Sequence, residues 1–361
     1  MKVCIYGAGS LGTVLGAYVA KSGEEIDLVN RNKAHVAALK EHGATITGTA
    51  NFNVKVNAML PEEMKEKYDI IFLMTKQLNN KEVVKMLTNF LADDGVICTM
   101  QNGLPEHSVS EIIGEDRTYG CAIGWGAQMT APGVSELTSE PDALVFALGA
   151  LNKKAQEDKH FKEIVRILSI MGKVEVEDNF IGVRWSKLLV NSAFSGMSAV
   201  LGCNFGEVAD NKKSRLCAQR IIKEIIDSTR AGGIHVEPIQ GKDVVKLLDY
   251  NNPIKQKISF AIIPVAIKKH RLIRASMLQD IEKGKPCEVE AINGVVSEYG
   301  RKVGVPTPVN DRAVEIIRGI EEGKYKPSFD NLKLFDDVLK KKYPKGQKTT
   351  NKTVRTRAVF C

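Results

Sequence analysis

Three polar side chains recur at four-residue spacing in a mostly apolar stretch near the middle of the chain. Lys187, Asn191 and Ser195 share one face if residues 182–200 form a helix, as the hydrophobic pattern predicts. Apolar neighbours would partly remove water from the Lys187 ammonium, and such an ammonium is suited to proton transfer. The alternative is a surface lysine whose stem covers apolar groups while its charge reaches water.

Two more polar side chains follow apolar runs of strand length. Lys76 comes shortly after residues 69–74, and Asn102 comes shortly after residues 96–100. Ligands bind beyond the carboxyl ends of parallel strands, so both side chains are expected at the mouth of a cleft. Lys76 would meet a phosphate or a carboxylate there, or be simply solvated. The Asn102 amide would bond to a ribose or a carboxamide, or belong to an Asn-Gly turn.

A carboxylate and a hydroxyl are candidates later in the chain. Ser276 opens the run Ser-Met-Leu-Gln-Asp, and Glu288 follows Pro286, which suits the first turn of a helix. The helix dipole stabilises a carboxylate near a helix start, so Glu288 is either functional or merely structural. A last helix is predicted over residues 311–322.

The elements that position these groups begin at the N-terminus with a strand, a glycine-rich turn and a helix. An apolar strand over residues 2–6 runs into the turn, the helix continues to Lys21, and a second strand spans residues 25–30. The first glycine allows the tight turn, the second lets backbone approach a pyrophosphate, and the third lets the helix pack on the sheet. Backbone N–H groups at the helix start then face the diphosphate. This context predicts a dinucleotide site formed by Gly7, Ala8, Gly9, Ser10, Leu11 and Gly12.

The residue at the end of the second strand indicates whether the cofactor is NAD(H) or NADP(H). NAD enzymes usually place an acidic residue there to bind the ribose 2′-hydroxyl. This chain has Arg31 instead, and a guanidinium suits a 2′-phosphate by charge and by its planar fork of donors. NADP(H) is therefore predicted, the alternative being that Arg31 is a solvated loop cation.

The order of elements predicts an α/β fold with two closely packed domains and a cleft between them. Strand-like runs alternate with helical segments up to residue 148, and helical periodicity takes over near Asn179. We expect an N-terminal Rossmann dinucleotide-binding domain over residues 1–178 and an all-α C-terminal domain over residues 179–325. Residues 326–361 would be an extension with a short amphipathic helix over 328–339 and a disordered basic tail.

The net charge of +8 belongs to this tail. Eight of the 51 Lys and Arg residues follow Asp337, so 43 basic residues face 43 acidic ones in the rest of the chain. A nucleic-acid-binding function is therefore not favoured. The seven scattered cysteines never form a Cys-x-x-Cys pair, which argues against a disulfide framework or a zinc site and fits a reducing cytoplasm. No signal peptide or membrane span is apparent.

Taken together, the motifs resemble the ketopantoate reductase (2-dehydropantoate 2-reductase) family over about residues 1–322. The resemblance rests on their order: Gly-Ala-Gly-Ser-Leu-Gly, Arg31, Thr-Lys76, Gln-Asn102-Gly, Lys187-x3-Asn191, Ser-Met-Leu-Gln-Asp, and Cys-Glu288-Val-Glu-Ala-Ile-Asn-Gly before Gly-Val-Pro-Thr-Pro. It implies a Rossmann domain followed by a helical domain, and NADPH-dependent reduction of a 2-keto acid.

The resemblance also implies roles for individual residues. Lys187 would be the general acid that protonates the keto oxygen, and Glu288 would lie near Lys187 and the nicotinamide ribose. Substrate would contact Lys187, Asn191, Ser195 and Ser276. The cofactor would contact Lys76, Asn102, Ala127 and Glu288, besides the glycine-rich turn and Arg31.

Three departures leave the substrate open. Ser195, Phe205 and Ile273 stand where the family often has asparagines, so a more apolar 2-keto acid is an alternative to ketopantoate. The leading prediction is reduction of ketopantoate to D-pantoate in pantothenate and coenzyme A synthesis, by a monomer or a homodimer. The alternatives are a D-2-hydroxy acid dehydrogenase of the same family and a nonenzymatic NADPH-binding sensor. A sensor would not need the proton donor Lys187.

Overall fold

The computed structural model describes residues 1–239 and 241–340 of the chain. The basic tail predicted to be disordered lies outside these residues, apart from Lys340. Within the described ranges, no helix is both long enough and apolar enough to cross a bilayer.

The strands form an eight-stranded sheet and a four-stranded sheet, in the orders β12-β11-β8-β7-β6-β1-β2-β5 and β4-β3-β10-β9. Their bounds are β1 Val3–Tyr6, β2 Asp27–Val29, β3 Ala44–Gly48, β4 Phe52–Val54, β5 Asn57–Met59, β6 Tyr68–Leu73, β7 Leu91–Thr99, β8 Thr118–Ile123, β9 Ala127–Ala131, β10 Val134–Leu137, β11 Val145–Ala150 and β12 Lys173–Val176. In the large sheet only the β8–β11 pairing is antiparallel.

The helices are α1 Ser10–Lys21, α2 Lys33–His42, α3 Asn80–Leu87, α4 Glu106–Ile113, α5 Lys159–Ser169, α6 Phe180–Val190, α7 Gly196–Leu201, α8 Phe205–Asp210, α9 Lys212–Ala231, α10 Val244–Leu248, α11 Pro253–Ala266, α12 Ser276–Glu282, α13 Val295–Val303, α14 Pro308–Glu321 and α15 Asp336–Lys340. A 3₁₀ segment, Phe329–Phe335, precedes α15.

The large sheet explains the continuous apolar runs of the first half. Residues 70–73 of β6 are fully buried, as expected for a parallel strand covered on both faces. The chain passes from β1 to β2 on one side, and β6 flanks β1 on the other, so the strand order reverses at the end of β1. Ligands of open α/β sheets bind at such a reversal, and the glycine-rich turn lies there.

The second half is helical, which confirms the predicted fold class. Trp185 of α6 is buried against Tyr299 of α13, with ring centroids 4.9 Å apart. Phe335 is also fully buried in this core, so residues 326–340 pack against the helices. The sheet ends at Val176 and α6 begins at Phe180. The proposed division at residue 178 stays a prediction.

The helix predicted over residues 182–200 contains an irregular turn. A π-helical turn, Asn191–Ser195, joins α6 to α7, and a second one, Glu290–Gly294, leads into α13. The two turns contact each other: the Ser192 hydroxyl donates to Ile292 O (3.1 Å), and Asn293 Nδ2 donates to Ser192 O (3.0 Å). We call this contact the π-turn joint.

One predicted helix start is wrong. Pro286 lies in irregular backbone, and helical structure begins at Val289, immediately after Glu288. The Glu288 carbonyl accepts from Ile292 N (3.0 Å), so it is Glu288 that stands at the helix start.

Candidate functional site

The glycine-rich turn is held by close packing at Gly7. Its φ of +100° suits glycine, and a Cβ there would lie 2.5 Å from Thr75 N. The backbone N–H groups of Gly7 and Ala8 both donate to Val29 O at 2.9 Å, which ties the turn to the end of β2.

The other two glycines differ in their surroundings. A Cβ on Gly12 would lie 3.0 Å from both Gly7 O and Ile5 Cγ2, so α1 packs tightly on β1. A Cβ on Gly9 would have Gly7 O, at 3.9 Å, as its closest neighbour, so this side of the turn is open. The first helical turn that follows has no acidic residue. Its positive dipole end and open backbone fit a pyrophosphate.

A buried histidine that the sequence analysis missed supports this turn. His35 Nδ1 accepts from Gly133 N (3.0 Å), so Nε2 carries the proton and donates to Ala8 O (3.0 Å). Burial lowers the pKa of His35, which favours this neutral tautomer. No short motif connects His35 with Ala8, because the contact forms only when α2 packs beside the turn.

Arg31 is exposed two residues beyond Val29, the acceptor for the turn. Among residues 1–239 and 241–340, its guanidinium has no hydrogen-bond or ion-pair partner. Asn32 caps α2 by accepting from His35 N (3.2 Å). Arg31 therefore stands at the predicted position and is available to an anionic ligand.

Lys76 and Glu288 each connect the sheet with the helical half. Lys76, beyond the end of β6, forms an ion pair with Asp280 of α12, which is 9% exposed. Next to it, the backbone N–H of Gln77 donates to Glu288 Oε1 at 3.0 Å. The predicted cofactor residues of the sheet thus meet the segments around Ser276 and Glu288.

Glu288 is 7% exposed. Burial raises its pKa, the Gln77 N–H and the Lys76 charge oppose the rise, and the Asp280 carboxylate adds to it. A hydrogen bond with the Asn102 side chain also favours the ionised form. The structure therefore brings Lys76, Asn102 and Glu288 together, around a carboxyl whose pKa is raised above its ordinary value.

Lys187 projects from α6 towards the sheet, where its Nζ donates to Ile123 O at 3.0 Å. Burial lowers the pKa of Lys187 to about 8, with a further decrease from Arg184. Cys121 and Glu288 act in the opposite direction. This ammonium is poised to release a proton near neutral pH, which an exposed lysine is not.

The four other predicted site residues lie on a π turn, a helix and a strand. Asn191 and Ser195 begin and end the first π turn, with Ser195 9% exposed. Ser276 is exposed as the first residue of α12, and Ala127 opens β9 in the small sheet. Asn191 N donates to Lys187 O, one turn earlier in the helix. Among the described residues, no side-chain hydrogen bond joins these four to Lys187 or Glu288.

The three departures from the family pattern lie in different environments. Phe205 is 5% exposed and packs on Phe194, with ring centroids 5.5 Å apart. Ile273 is 43% exposed, and its carbonyl accepts from Phe205 N at 3.1 Å. Phe205 therefore contributes to the core and Ser195 is also buried, while Ile273 keeps exposed surface.

One grouping has spacing compatible with a metal ion, but it lies away from this cleft. Asp69, Asp94 and His160 offer ligand atoms within 4.8 Å of one another. The Lys159 ammonium, 2.7 Å from Asp94, already occupies the place of a counter-cation.

Comparison with known proteins identifies two family models. Residues 3–150 match the ketopantoate reductase PanE/ApbA model, and residues 179–321 match the model of its C-terminal domain. The 2-dehydropantoate 2-reductase of Pyrococcus horikoshii is 29% identical over 315 residues, which are 86% of this chain and 94% of the relative.

Two solved structures show the same fold. A D-mandelate dehydrogenase in complex with NADH and anilino(oxo)acetate is 23% identical, with a TM-score of 0.76 over 90% of this chain and 99% of its own. The dimeric ketopantoate reductase of Staphylococcus aureus is 18% identical, with a TM-score of 0.69 over 90% of this chain and 100% of its own.

Proposed function

The chain belongs to the ketopantoate reductase family of oxidoreductases, and from this premise we propose that it reduces ketopantoate to D-pantoate with NADPH. The product would enter pantothenate and coenzyme A synthesis. The observation that carries the proposal is Lys187, a half-buried lysine whose pKa is lowered to about 8 and whose ammonium faces the sheet near Glu288.

NADPH fits the residues present. The open side of Gly9 and the start of α1 would receive the pyrophosphate, and Arg31 the 2′-phosphate. Lys76 and Asn102 would line the nicotinamide end of the cleft. The bound cofactor would supply the hydride.

The protein's own part is proton delivery and substrate orientation. Negative charge develops on the keto oxygen during reduction, and the Lys187 ammonium would stabilise this charge and then donate its proton. Glu288 would stabilise the ammonium before transfer. Asn191, Ser195 and Ser276 would orient the substrate and bind its carboxylate by hydrogen bonds.

A direct test compares substrates by NADPH oxidation. We expect kcat/KM for ketopantoate to exceed that for branched and aromatic 2-keto acids such as benzoylformate. The reverse ranking would support the second candidate, a D-2-hydroxy acid dehydrogenase, which the apolar Ile273 and the small Ser195 favour. Turnover of none of them, with NADPH still bound, would overturn both reductase assignments in favour of the sensor.

Arg31→Asp should move cofactor preference from NADPH towards NADH. Loss of a charge-assisted contact to the 2′-phosphate should change the ratio of kcat/KM values by about 10- to 100-fold. The matched control is Lys55→Asp, which makes the same charge change at another exposed position. An unchanged ratio in Arg31→Asp would remove Arg31 from the cofactor site.

We also propose that the protein is a homodimer. Ile254, Ile258 and Val265 are 73%, 52% and 71% exposed, and they share one face of α11 by their spacing of four and seven residues. The S. aureus relative is dimeric. A second copy related by a two-fold axis would cover this apolar face with its own.

Ile258→Glu should convert the dimer to a monomer of 39.7 kDa, as measured by light scattering on a sizing column. A charge inside an apolar interface is poorly solvated. Val176→Glu, at an exposed position of β12, serves as the control and should leave the mass unchanged. A monomeric parent protein would refute the proposal.

The cellular location is proposed from the state of the cysteines. Cys4, Cys98, Cys121, Cys203, Cys217 and Cys287 are buried free thiols. They support a cytoplasmic location, where thiols stay reduced.

A further inference from the structure

A buried ion pair lies one helical turn before Lys187. Arg184 of α6 is 1% exposed and Glu106 of α4 is fully buried. Both Arg184 Nε (2.9 Å) and Nη2 (2.5 Å) donate to Glu106 Oε1. Neither residue was predicted from the sequence, and the proposed reaction does not use them directly.

The same guanidinium holds the end of β7. Its Nη1 donates to Gln101 O at 2.7 Å, and Nη2 donates to Thr99 O at 3.2 Å. Asn102 follows directly in the chain. Arg184 therefore fixes the distance between α6, which carries Lys187, and the backbone that carries Asn102.

We propose that Arg184 and Glu106 are a positioning pair that sets the proton affinity of Lys187, and through it the pH range in which the enzyme reduces its substrate. The inference rests on the proposed function, because it assumes that Lys187 is the proton donor. Neither residue of the pair needs to touch substrate or cofactor.

The geometry gives the two members opposite effects. Residues three apart on a helix are neighbours, and Arg184 is 1% exposed, so water screens its charge poorly and the guanidinium repels a proton on Lys187. The Glu106 carboxylate lies against that guanidinium and partly cancels its field. Removing one member or the other should therefore move the Lys187 titration in opposite directions.

The other groups that face Lys187 are few and lie on separate elements. Cys121 of β8 and Glu288 raise its pKa, whereas burial and Arg184 lower it. Burial raises the pKa of Glu106, and its hydrogen bonds from Arg184 oppose that rise. Arginine stays protonated in proteins, so the Arg184 guanidinium keeps its charge near neutral pH.

The test is a titration of Lys187 in the full chain without substrate. Lysine labelled with ¹³C at Cε reports the charge of each amine by NMR, and Lys187→Met identifies the signal. We expect Glu106→Gln to lower the midpoint, and Arg184→Gln to raise it, each by about one pH unit. Arg184→Lys keeps a positive charge and should stay closer to the parent midpoint than Arg184→Gln.

A variant that fails to fold must be distinguished from one in which the Lys187 titration changes. Arg184→Gln leaves Glu106 buried without its partner, and such changes are strongly destabilising. If this variant does not fold, Glu106→Gln and Arg184→Lys carry the test, since both keep hydrogen bonding across the pair. A midpoint within about 0.2 pH units of the parent in folded Glu106→Gln, or shifts of the same sign in Glu106→Gln and Arg184→Gln, would overturn the inference.

Activity is measured separately, so the two proposals fail independently. Opposite titration shifts in a protein that reduces no 2-keto acid would uphold the pair and sink the reductase assignment. Normal turnover with unchanged Lys187 midpoints in the variants would uphold the reductase assignment and refute the role of the pair. If both hold, the alkaline limb of the kcat profile should move with the NMR midpoint in each variant.

Discussion

Lys187→Met should lower kcat for keto acid reduction by about 10²- to 10⁴-fold, the range typical of a lost general acid. Methionine keeps the apolar stem of the side chain in its buried place but has no proton to donate. Steady-state NADPH oxidation gives kcat, and fluorescence titration should show that NADPH affinity is retained. Lys162→Met, at an exposed position of α5, is the control and should behave as the parent.

The pH profile gives the same assignment a second check. Reduction needs the ammonium form, so kcat should fall as pH rises through the pKa of about 8. Oxidation of the hydroxy acid needs the neutral amine and should rise through the same pH. A profile that is flat across this range, or near-normal turnover in Lys187→Met, would remove Lys187 as the acid.

Gly9→Val should abolish tight NADPH binding while the protein stays folded. Its Cβ would point into open space, 3.9 Å from the closest neighbour, where the pyrophosphate is expected. Blocking this close approach should weaken the binding free energy of NADPH by about 3 kcal/mol. That loss corresponds to an affinity roughly 100-fold weaker. Calorimetric titration with NADPH and thermal unfolding measure the two effects separately.

The contrasting variant is Gly12→Ala. Its added methyl would lie 3.0 Å from Gly7 O and Ile5 Cγ2, so α1 must move away from β1. We expect Gly12→Ala to lower the unfolding temperature, whereas Gly9→Val should change it much less. If Gly9→Val binds NADPH normally, the glycine-rich turn does not hold the pyrophosphate.

Local chemistry in the sequence predicted much of the fold and part of the site. The apolar runs that form β1, β6 and β7 are buried on both faces. Such continuous runs can be recognised as strands without knowing which strands pair with them. Lys76, Asn102 and Glu288 were predicted from their positions after strands and near a helix start. The structure brings these three together, but their roles remain proposals.

The rest depends on contacts between distant segments. Arg184 and Glu106 are 78 residues apart, and Lys76 and Asp280 are 204 apart, so no short pattern pairs them. Edge strands such as β5, with only three residues, carry too little periodicity to be recognised. The π turns were not predicted because the apolar pattern of the helix continues through them.

The π-turn joint limits how this protein can change during evolution. Deleting one residue from Asn191–Ser195 would restore regular helical bonding and rotate all of α7 about its axis by roughly 100°. The core face that includes Met197 and Val200 would then point elsewhere. Gly196 leaves no room for adjustment, because a Cβ there would lie 2.7 Å from Asn293 Oδ1. Length changes are thus expected in surface loops, while the segments that carry Lys187 and Glu288 keep a fixed count of residues.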